Sequence, residues 1–199
     1  MTATVTPLPK TEPGFDRPPL VLIHDDGVNF EVWDEVVYTG THFDCWTIPA
    51  GFTTDFATIP SVVSWAVPKL GAYTLAAIVH DLLCEGLNDW EAACLAANGD
   101  RTLALRISDF PTANAVDTDA IFYKIARDYG TDPITARLLW AGVRWGALAN
   151  PARRSGWLKT APAVLGWSLL FSPVLVPATV VVGVAQGILW SIRKLRSLL

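Results

Sequence analysis

Acidic residues are missing from the last quarter of this 199-residue chain. All 19 Asp and Glu residues precede Pro151, whereas residues 151–199 contain six Lys and Arg. Residues 1–150 contain nine Lys and Arg and therefore carry a net charge of −10, which the overall charge of −4 hides. Because nucleic-acid binding requires a basic face, we expect no nucleic-acid partner for this acidic body. The basic, apolar tail instead predicts contact with lipid or with another protein.

Cysteine is scarce as well. Cys45, Cys84 and Cys94 are odd in number and show no CxxC spacing, so they form neither a disulfide framework nor a zinc signature. We expect free thiols in a reducing compartment. Residues 1–19 contain no apolar core, so no secretory signal peptide is expected, and their five prolines predict an extended leader.

The length fits one ordinary domain with an appendage. We predict an α+β domain over residues 20–150, with a small antiparallel sheet followed by a helical half, and a C-terminal apolar helical tail over residues 151–199. Segments rich in β-branched and aromatic residues predict strands over 19–24, 30–38 and 45–48, the last two forming a hairpin.

Helical patterns begin after Pro68. One helix is predicted over 73–85, and a second begins at Asn88, where Glu91 completes a capping-box pattern. The dipeptide Asn98-Gly99 is typical of a helix end. Residues 100–113 fit neither pattern and predict an irregular insertion.

Two further helices are predicted before the tail. The third covers 117–129 and ends at Gly130, and the fourth begins at Asp132-Pro133, with Asp as the cap and Pro in the first turn. Apolar residues at helical spacing predict the buried stripe of the fourth helix. These residues are Ile134, Leu138, Ala141 and Trp145.

The tail has no charged residue between Lys159 and Arg193. As one helix this run is about 50 Å long, compared with about 30 Å of bilayer hydrocarbon. Three prolines favour breaks, so three arrangements stay open: a kinked single span, a helical hairpin and a helix buried against protein. Basic residues at both ends fit a hairpin with both ends on the cytoplasmic side. We expect residues 160–199 to contact a membrane or a partner protein. The prolines are Pro162, Pro173 and Pro177.

Two short segments place polar groups in apolar surroundings. Thr54-Asp55 lies between aromatic residues, and His80-Asp81 interrupts an apolar run. Because burying such groups without partners costs a few kcal/mol each, they need hydrogen-bond partners or a function.

A catalytic site is the first hypothesis. Neighbouring helix residues point about 100° apart, so Asp81 is poorly placed to orient His80, and Asp55 or Asp119 is the better partner. A neutral imidazole backed by a carboxylate can act as a general base near neutral pH. The predicted catalytic group is therefore His80, Asp81 and Asp55, with Asp81 free to bind a metal or a substrate group.

A structural polar cluster is the alternative. In it His80, Asp55, Asp119 and Arg144 satisfy one another and lock the helices onto the sheet. The sequence leaves both interpretations open.

Further binding candidates surround this group. Arg137 and Arg144 are seven residues apart and share a helix face, which suits ion pairs with the acidic body or an anion. The Thr54 and Thr58 hydroxyls suit either binding or turn roles. With Asp119 they complete the predicted binding set. No cofactor is evident, and a divalent metal is implied only if the site is hydrolytic.

The order of several motifs also identifies a family. PAGFTTDFATIP ends at Pro60, AAIVHD ends at Asp81, and DAIF begins at Asp119, followed by Arg137 and Arg144. This order, over about residues 45–148, resembles a family of small tailed-phage and prophage proteins known as domain of unknown function 1353. A TDFAS-[IV]-P segment and an HDxLY segment mark that family.

Two departures from the family pattern stand out. Cys84 replaces the usual Tyr, and residues 86–113 look like an insertion. The apolar tail lies outside the shared region.

The resemblance implies a phage or prophage origin and brings no assigned reaction. We expect an accessory protein of the cell envelope or virion, membrane-associated through its tail or held there by a phage protein partner. The alternative is a His-Asp hydrolase of lipid or cell-wall material. The HDxxC helix also resembles the His-Asp helix of secreted phospholipases A2, in which His activates water and Asp binds calcium. The glycine-rich calcium loop and disulfide cysteines of those enzymes are absent here.

Overall fold

The computed structural model describes residues 14–23, 29–40, 45–56 and 70–196. The chain divides into two compact units, Met1–Asp55 and Phe56–Leu199. Strands form the first unit and helices the second, which confirms the predicted α+β class.

The N-terminal unit contains two antiparallel sheets of three strands, where the sequence predicted one sheet. Their strand orders are β1-β4-β5 and β2-β3-β6. The strands are β1 (Gly14–Phe15), β2 (Val21–Ile23), β3 (Phe30–Val32), β4 (Val36–Thr39), β5 (Cys45–Ile48) and β6 (Thr53–Thr54). The predicted leader, residues 1–19, thus contributes β1, which pairs with β4.

The predicted hairpin is confirmed, because β4 and β5 pair with Val36 opposite Ile48. Side chains alternate along these strands, and Val36 and Tyr38 are buried beside Ile48. The predicted single strand over 30–38 is wrong, since residues 33–35 separate β3 from β4.

The described part of the second unit is built from five helices and two 3-10 turns. They are α1 (Thr74–Ala96), α2 (Arg101–Ala104), α3 (Ala115–Asp128), α4 (Pro133–Gly146), the turns Ala147–Ala149 and Pro151–Arg153, and α5 (Trp157–Arg196). Helix α3 packs against both α1 and α4, and α4 packs against α5.

The two helices predicted before residue 98 are a single helix, α1. Buried Leu83 and Leu87 continue its packed face across Gly86, so tertiary packing overrides the capping signal at Asn88. The predicted end is confirmed, because Asn98-Gly99 has φ of 50° and 83°, a left-handed pair that stops the helix.

Capping explains the later helix starts. Asn114 accepts hydrogen bonds from the Val116 and Asp117 amides, so α3 begins two residues before the prediction. Asp132 caps α4 with Pro133 in the first turn, as predicted. The predicted insertion contains the short helix α2, capped by Asp100.

The predicted apolar stripe of α4 is wrong at both ends. Ile134 is 61% exposed and Trp145 is 42% exposed. The buried face instead includes Trp140 and Arg144, which is fully buried. Apolar periodicity misses this face because a charged residue, Arg144, belongs to it.

Helix α5 is continuous over 40 residues, with three prolines inside it. Of the three arrangements that the sequence left open, the continuous helix does not fit the helical hairpin. Val164 is fully buried against Trp140 and Ala141 of α4, so the first turns of α5 belong to the helical unit.

Beyond these turns most large apolar side chains of α5 are exposed, and none of those described is buried. Within the described residues, Trp157–Ser191 is the one helix that length and composition allow to cross a membrane, with a mean hydropathy of 2.1. None of its most apolar 18-residue stretch is buried. Its exposed large apolar residues from the third turn onward are Leu165, Leu169, Leu170, Val174, Val176, Val180, Val181, Val184, Ile188, Leu189 and Trp190.

Candidate functional site

A fully buried carboxylate, Asp119 on α3, organises the candidate site. His80 Nε2 lies 2.8 Å from Asp119 Oδ1, and Arg153 Nη2 donates to the same oxygen at 2.8 Å. Arg144 Nη1 donates to Asp119 Oδ2 at 2.7 Å. We name His80, Asp119, Arg144 and Arg153 the Asp119 cluster. It joins α1, α3, α4 and the Pro151–Arg153 turn.

The local sequence explains how each side chain reaches Asp119. His80 lies on the buried face of α1, which packs against α3. Arg144 is in the last turn of α4. Arg153 closes a 3-10 turn that Asn150 caps by accepting from the Ala152 amide.

Several groups surround the His80 ring. Phe122 contacts it edge to face, with centroids 5.2 Å apart. Asp81 Oδ1 is 3.7 Å from Nδ1, too far for a normal hydrogen bond. Cys84 Sγ is 3.8 Å from Nδ1 and 3.7 Å from Nε2.

Burial and charge act in opposite directions on His80. Burial disfavours the imidazolium, but the hydrogen bond to Asp119, together with the nearby Asp81 and Cys84 side chains, outweighs burial and raises the pKa of His80 well above its ordinary value of 6.5. Arg153 Nη2, 3.2 Å from Nε2, acts against this protonation, while the shared Asp119 oxygen offsets its charge.

Asp119 shows the opposite balance. Burial alone raises the pKa of this carboxyl, whereas His80, Arg153 and Arg144 stabilise its ionised form and bring the pKa below its ordinary value of 3.8. The cluster therefore consists of one buried carboxylate held by two guanidinium groups and an imidazole.

The cluster has hydrogen-bond donors to spare. Among the residues that the structure describes, Arg144 Nη2, Arg153 Nε and the Thr118 hydroxyl are buried without a protein partner. Donors of this kind suit a water molecule or an anion.

The structure brings together three of the predicted site residues, His80, Asp119 and Arg144. Asp81 lies at the rim of the cluster, with 27% of its side chain exposed. Arg137 instead stacks over the Tyr123 ring, 4.1 Å from its centroid. The catalytic and binding roles assigned to these residues stay predictions.

The remaining predicted residues are Thr54, Asp55 and Thr58. Thr54 is buried in β6 and Asp55 follows it directly, both in the N-terminal unit. Thr58 lies outside the described residues, as do His24 and His42.

Sequence reasoning missed Arg153, which it assigned to the basic flank of the tail. It also missed the link between the cluster and α5. Arg144 Nε donates to Thr160 Oγ1 at 3.1 Å, and Trp157 Nε1 donates to the Arg144 carbonyl at 2.7 Å. The Asn150-Pro151 pair, a capping residue before a first-turn proline, was the available signal for an ordered turn at Arg153.

The described part of the chain contains no group of three His, Cys, Asp or Glu side chains that could hold a metal ion. The site is therefore built from a carboxylate and cationic groups.

Comparison with known proteins gives one family. No curated protein and no solved structure matches the chain. Residues 30–143 match the model of a protein family of unknown function (DUF1353), which covers most of the strands, the first three helices and most of α4. His80 and Asp119 lie inside the match, whereas Arg144, Arg153 and α5 follow it. The family predicted from the motifs is thus confirmed: the chain belongs to the DUF1353 family.

Proposed function

We propose that this chain is a phage- or prophage-encoded accessory protein anchored by α5 in a membrane of the host cell or virion. The observation that carries the proposal is that no residue is buried in the most apolar 18-residue stretch of α5. The phage assignment rests on the family resemblance and its motifs.

The energetics of α5 favour lipid as its surroundings. Each large apolar side chain left in water forgoes about 1.5–3 kcal/mol of burial free energy, and Leu169, Leu170 and Val181 are each more than 60% exposed. Internal prolines are tolerated in membrane helices, because neighbouring groups and local adjustment satisfy the freed carbonyls. A bilayer therefore accounts for both the exposure and the composition of this helix.

Membrane fractionation of the expressed full chain tests the anchor. We expect the chain to pellet with membranes and to resist alkaline carbonate, since a spanning helix is not extracted by high pH. A stop codon after Phe171 should release it into the soluble fraction. This truncation point retains Thr160, Val164 and Ser168, which contact the body, whereas deletion of residues 160–199 would also remove that packing.

A second variant separates insertion from folding. Val180→Glu with Val184→Glu places two carboxylates in the exposed run, each costly at the centre of a bilayer. The matched control is Lys124→Glu with Asp128→Lys, which reverses an exposed ion pair on α3. A full chain that stays soluble, or a double-Glu variant that still resists carbonate, would contradict the anchor. If the chain is found in purified phage particles, this would favour a location in the virion over one in the host-cell membrane.

The alternative function, a His-Asp hydrolase of lipid or cell-wall material, is supported by one observation. His80 and Asp119 form the pair of a base and an orienting carboxylate, at 2.8 Å. Its weakness is access, since His80 is only 6% exposed and Asp119 is fully buried. Hydrolysis of phospholipid or peptidoglycan by the full chain, lost in a folded His80→Gln variant, would establish it.

A further inference from the structure

We infer that the Asp119 cluster binds a small inorganic oxyanion through Arg144 and Arg153. This inference goes beyond the proposed function, because it concerns the cluster and does not depend on how α5 is anchored. It assigns a ligand to buried hydrogen-bond donors that have no protein partner.

The two arginines hold the same carboxylate, so their guanidinium groups are neighbours. Arg144 Nη1 lies 2.7 Å from Asp119 Oδ2, and Arg153 Nη2 lies 2.8 Å from Asp119 Oδ1. Backbone carbonyls fix both groups further, since Arg144 Nη1 also donates to Ala115 and Arg153 Nη2 to Val143. The guanidinium groups are therefore held in place before any ligand arrives.

Each guanidinium also has a buried nitrogen without a protein partner in the described part of the chain. These nitrogens are Arg144 Nη2 and Arg153 Nε. Because a guanidinium is a rigid, planar fork of donors, neither nitrogen can turn toward a new partner without breaking the contact with Asp119. A buried donor left without a partner is costly, so a bound ligand would stabilise both.

Charge favours an anion over a water molecule at these donors. Within the described residues, two guanidinium groups share the Asp119 carboxylate, so positive charge exceeds negative charge at this contact. His80 adds to the excess when it is protonated, and Asp81, 3.7 Å from its ring, offsets that imidazolium. A water molecule satisfies hydrogen bonds but leaves the buried charge uncompensated, whereas an anion does both.

Burial and donor geometry set the class of the anion. Arg144 is fully buried, and 13% of the Arg153 side chain is exposed, so Arg153 is the more accessible of the two. A guanidinium fork matches the oxygen spacing of a phosphate-like anion. Free phosphate fits this burial better than a phosphate group that carries an organic substituent, such as a lipid head group.

Isothermal titration calorimetry of the full chain in detergent tests the inference. At constant ionic strength, we expect inorganic phosphate to bind as a single ion per chain. Glycerol 3-phosphate, with its substituent, and chloride, without oxygens, should each bind about tenfold more weakly. Absence of phosphate binding, or equal affinity for either of the other two anions, would overturn the inference.

Arg153→Lys is the test variant. Lysine keeps a positive charge near Asp119 but lacks the Nε donor, so phosphate affinity should fall about tenfold or more. The matched control is Arg154→Lys at the next position, where Nε donates to the Leu148 carbonyl outside the cluster. Phosphate affinity that is unchanged in Arg153→Lys, or equally reduced in both variants, would contradict a site at Arg153.

A crystal of the full chain grown with selenate locates the ion without a substitution, and it decides the question if Arg153→Lys does not fold. Selenate is an oxyanion whose selenium is identified by anomalous scattering. A selenate oxygen should lie within hydrogen-bond distance of Arg144 Nη2 or Arg153 Nε. Selenate bound only elsewhere, or water alone at these donors, would overturn the inference and leave the membrane anchor unaffected.

Discussion

The interior of the helical unit and the surface of α5 reverse the usual distribution of polar and apolar groups. The Asp119 cluster buries ionised groups, with Asp119 and Arg144 fully buried, while the outer part of α5 exposes a row of leucines and valines. In water both arrangements are unfavourable. The cost of burying the Asp119 carboxylate is offset inside the chain, because cationic groups surround it. The exposed row on α5 has no such compensation within the described residues and points to a lipid environment.

The two regions are also connected. Arg144 donates to both Asp119 and Thr160, so a single buried side chain joins the cluster to the second turn of α5. The helix α5 is therefore attached to the rest of the helical unit through packed and hydrogen-bonded turns.

The largest expected effect comes from the centre of the cluster. Asp119→Asn leaves Arg144 and Arg153 buried without a countercharge, and breaking a buried pair in this way costs about 3–5 kcal/mol of unfolding free energy. Chemical denaturation of the full chain in detergent measures it. Asp128→Asn on the same helix is the control, because its ion pair with Lys124 is exposed and contributes about 0–1 kcal/mol. Equal losses in the two variants would show that the cluster is not a stabilising centre.

The next effect comes from the junction between the two regions. Gly156 has φ of +71°, and a Cβ there would lie 2.5 Å from Val116 Cγ2. Gly156→Ala should therefore lower the unfolding free energy by about 2–4 kcal/mol, from backbone strain and overpacking together.

Gly142→Ala is the control for this junction. Gly142 lies inside α4 with nothing within 4 Å of its added Cβ, so alanine should stabilise the chain by about 0.5–1 kcal/mol. If Gly156→Ala leaves the free energy of unfolding unchanged, the backbone can connect the helical unit to α5 in a different conformation at this position.

His80 provides a test that depends on pH. Its raised pKa means that its stabilisation is fully present below the unfolded value of 6.5 and is lost as pH rises through the folded pKa. At pH 6, His80→Ala should cost about 2 kcal/mol or more, as for a broken buried network. The difference in unfolding free energy between His80→Ala and the unmutated chain should become smaller at higher pH.

Asp81→Ala is the control for His80. Asp81 is partly exposed and 3.7 Å from the ring, so its removal should cost less than about 1 kcal/mol. An unchanged or raised melting temperature of His80→Ala would favour a functional site, since such sites often carry a stability cost.

The sequence predicted the parts of the fold that local chemistry decides. Asp132-Pro133 and Asn98-Gly99 marked helix ends correctly, because caps and left-handed residues act within one turn. The capping pattern at Asn88 failed because packing on both sides of Gly86 is stronger than a cap. The three prolines of α5 suggested breaks that the helix does not have. Each proline removes one backbone donor and leaves the rest of the helix intact.

The candidate site was partly predictable. A histidine in an apolar run requires a partner, and Asp119 and Arg144 were named as partners from the sequence. Arg153 was not, because 34 residues separate it from Asp119 and its neighbours suggested only a basic flank. Contacts between distant segments depend on tertiary packing, which periodicity and capping do not reveal.

The smallest expected effect concerns the last contact between α5 and the body. Trp145→Phe retains most of the ring but removes the hydrogen bond from Nε1 to Ser168 Oγ. Because Trp145 is 42% exposed, the loss should be about 0.5–1 kcal/mol, near the lower end for a hydrogen bond. Amide hydrogen exchange of residues 164–172 in detergent should quicken, while exchange in α1 stays unchanged. If the turns around Ser168 already exchange as fast as an isolated helix in the unmutated chain, α5 is not docked there, and the span can begin nearer Trp157.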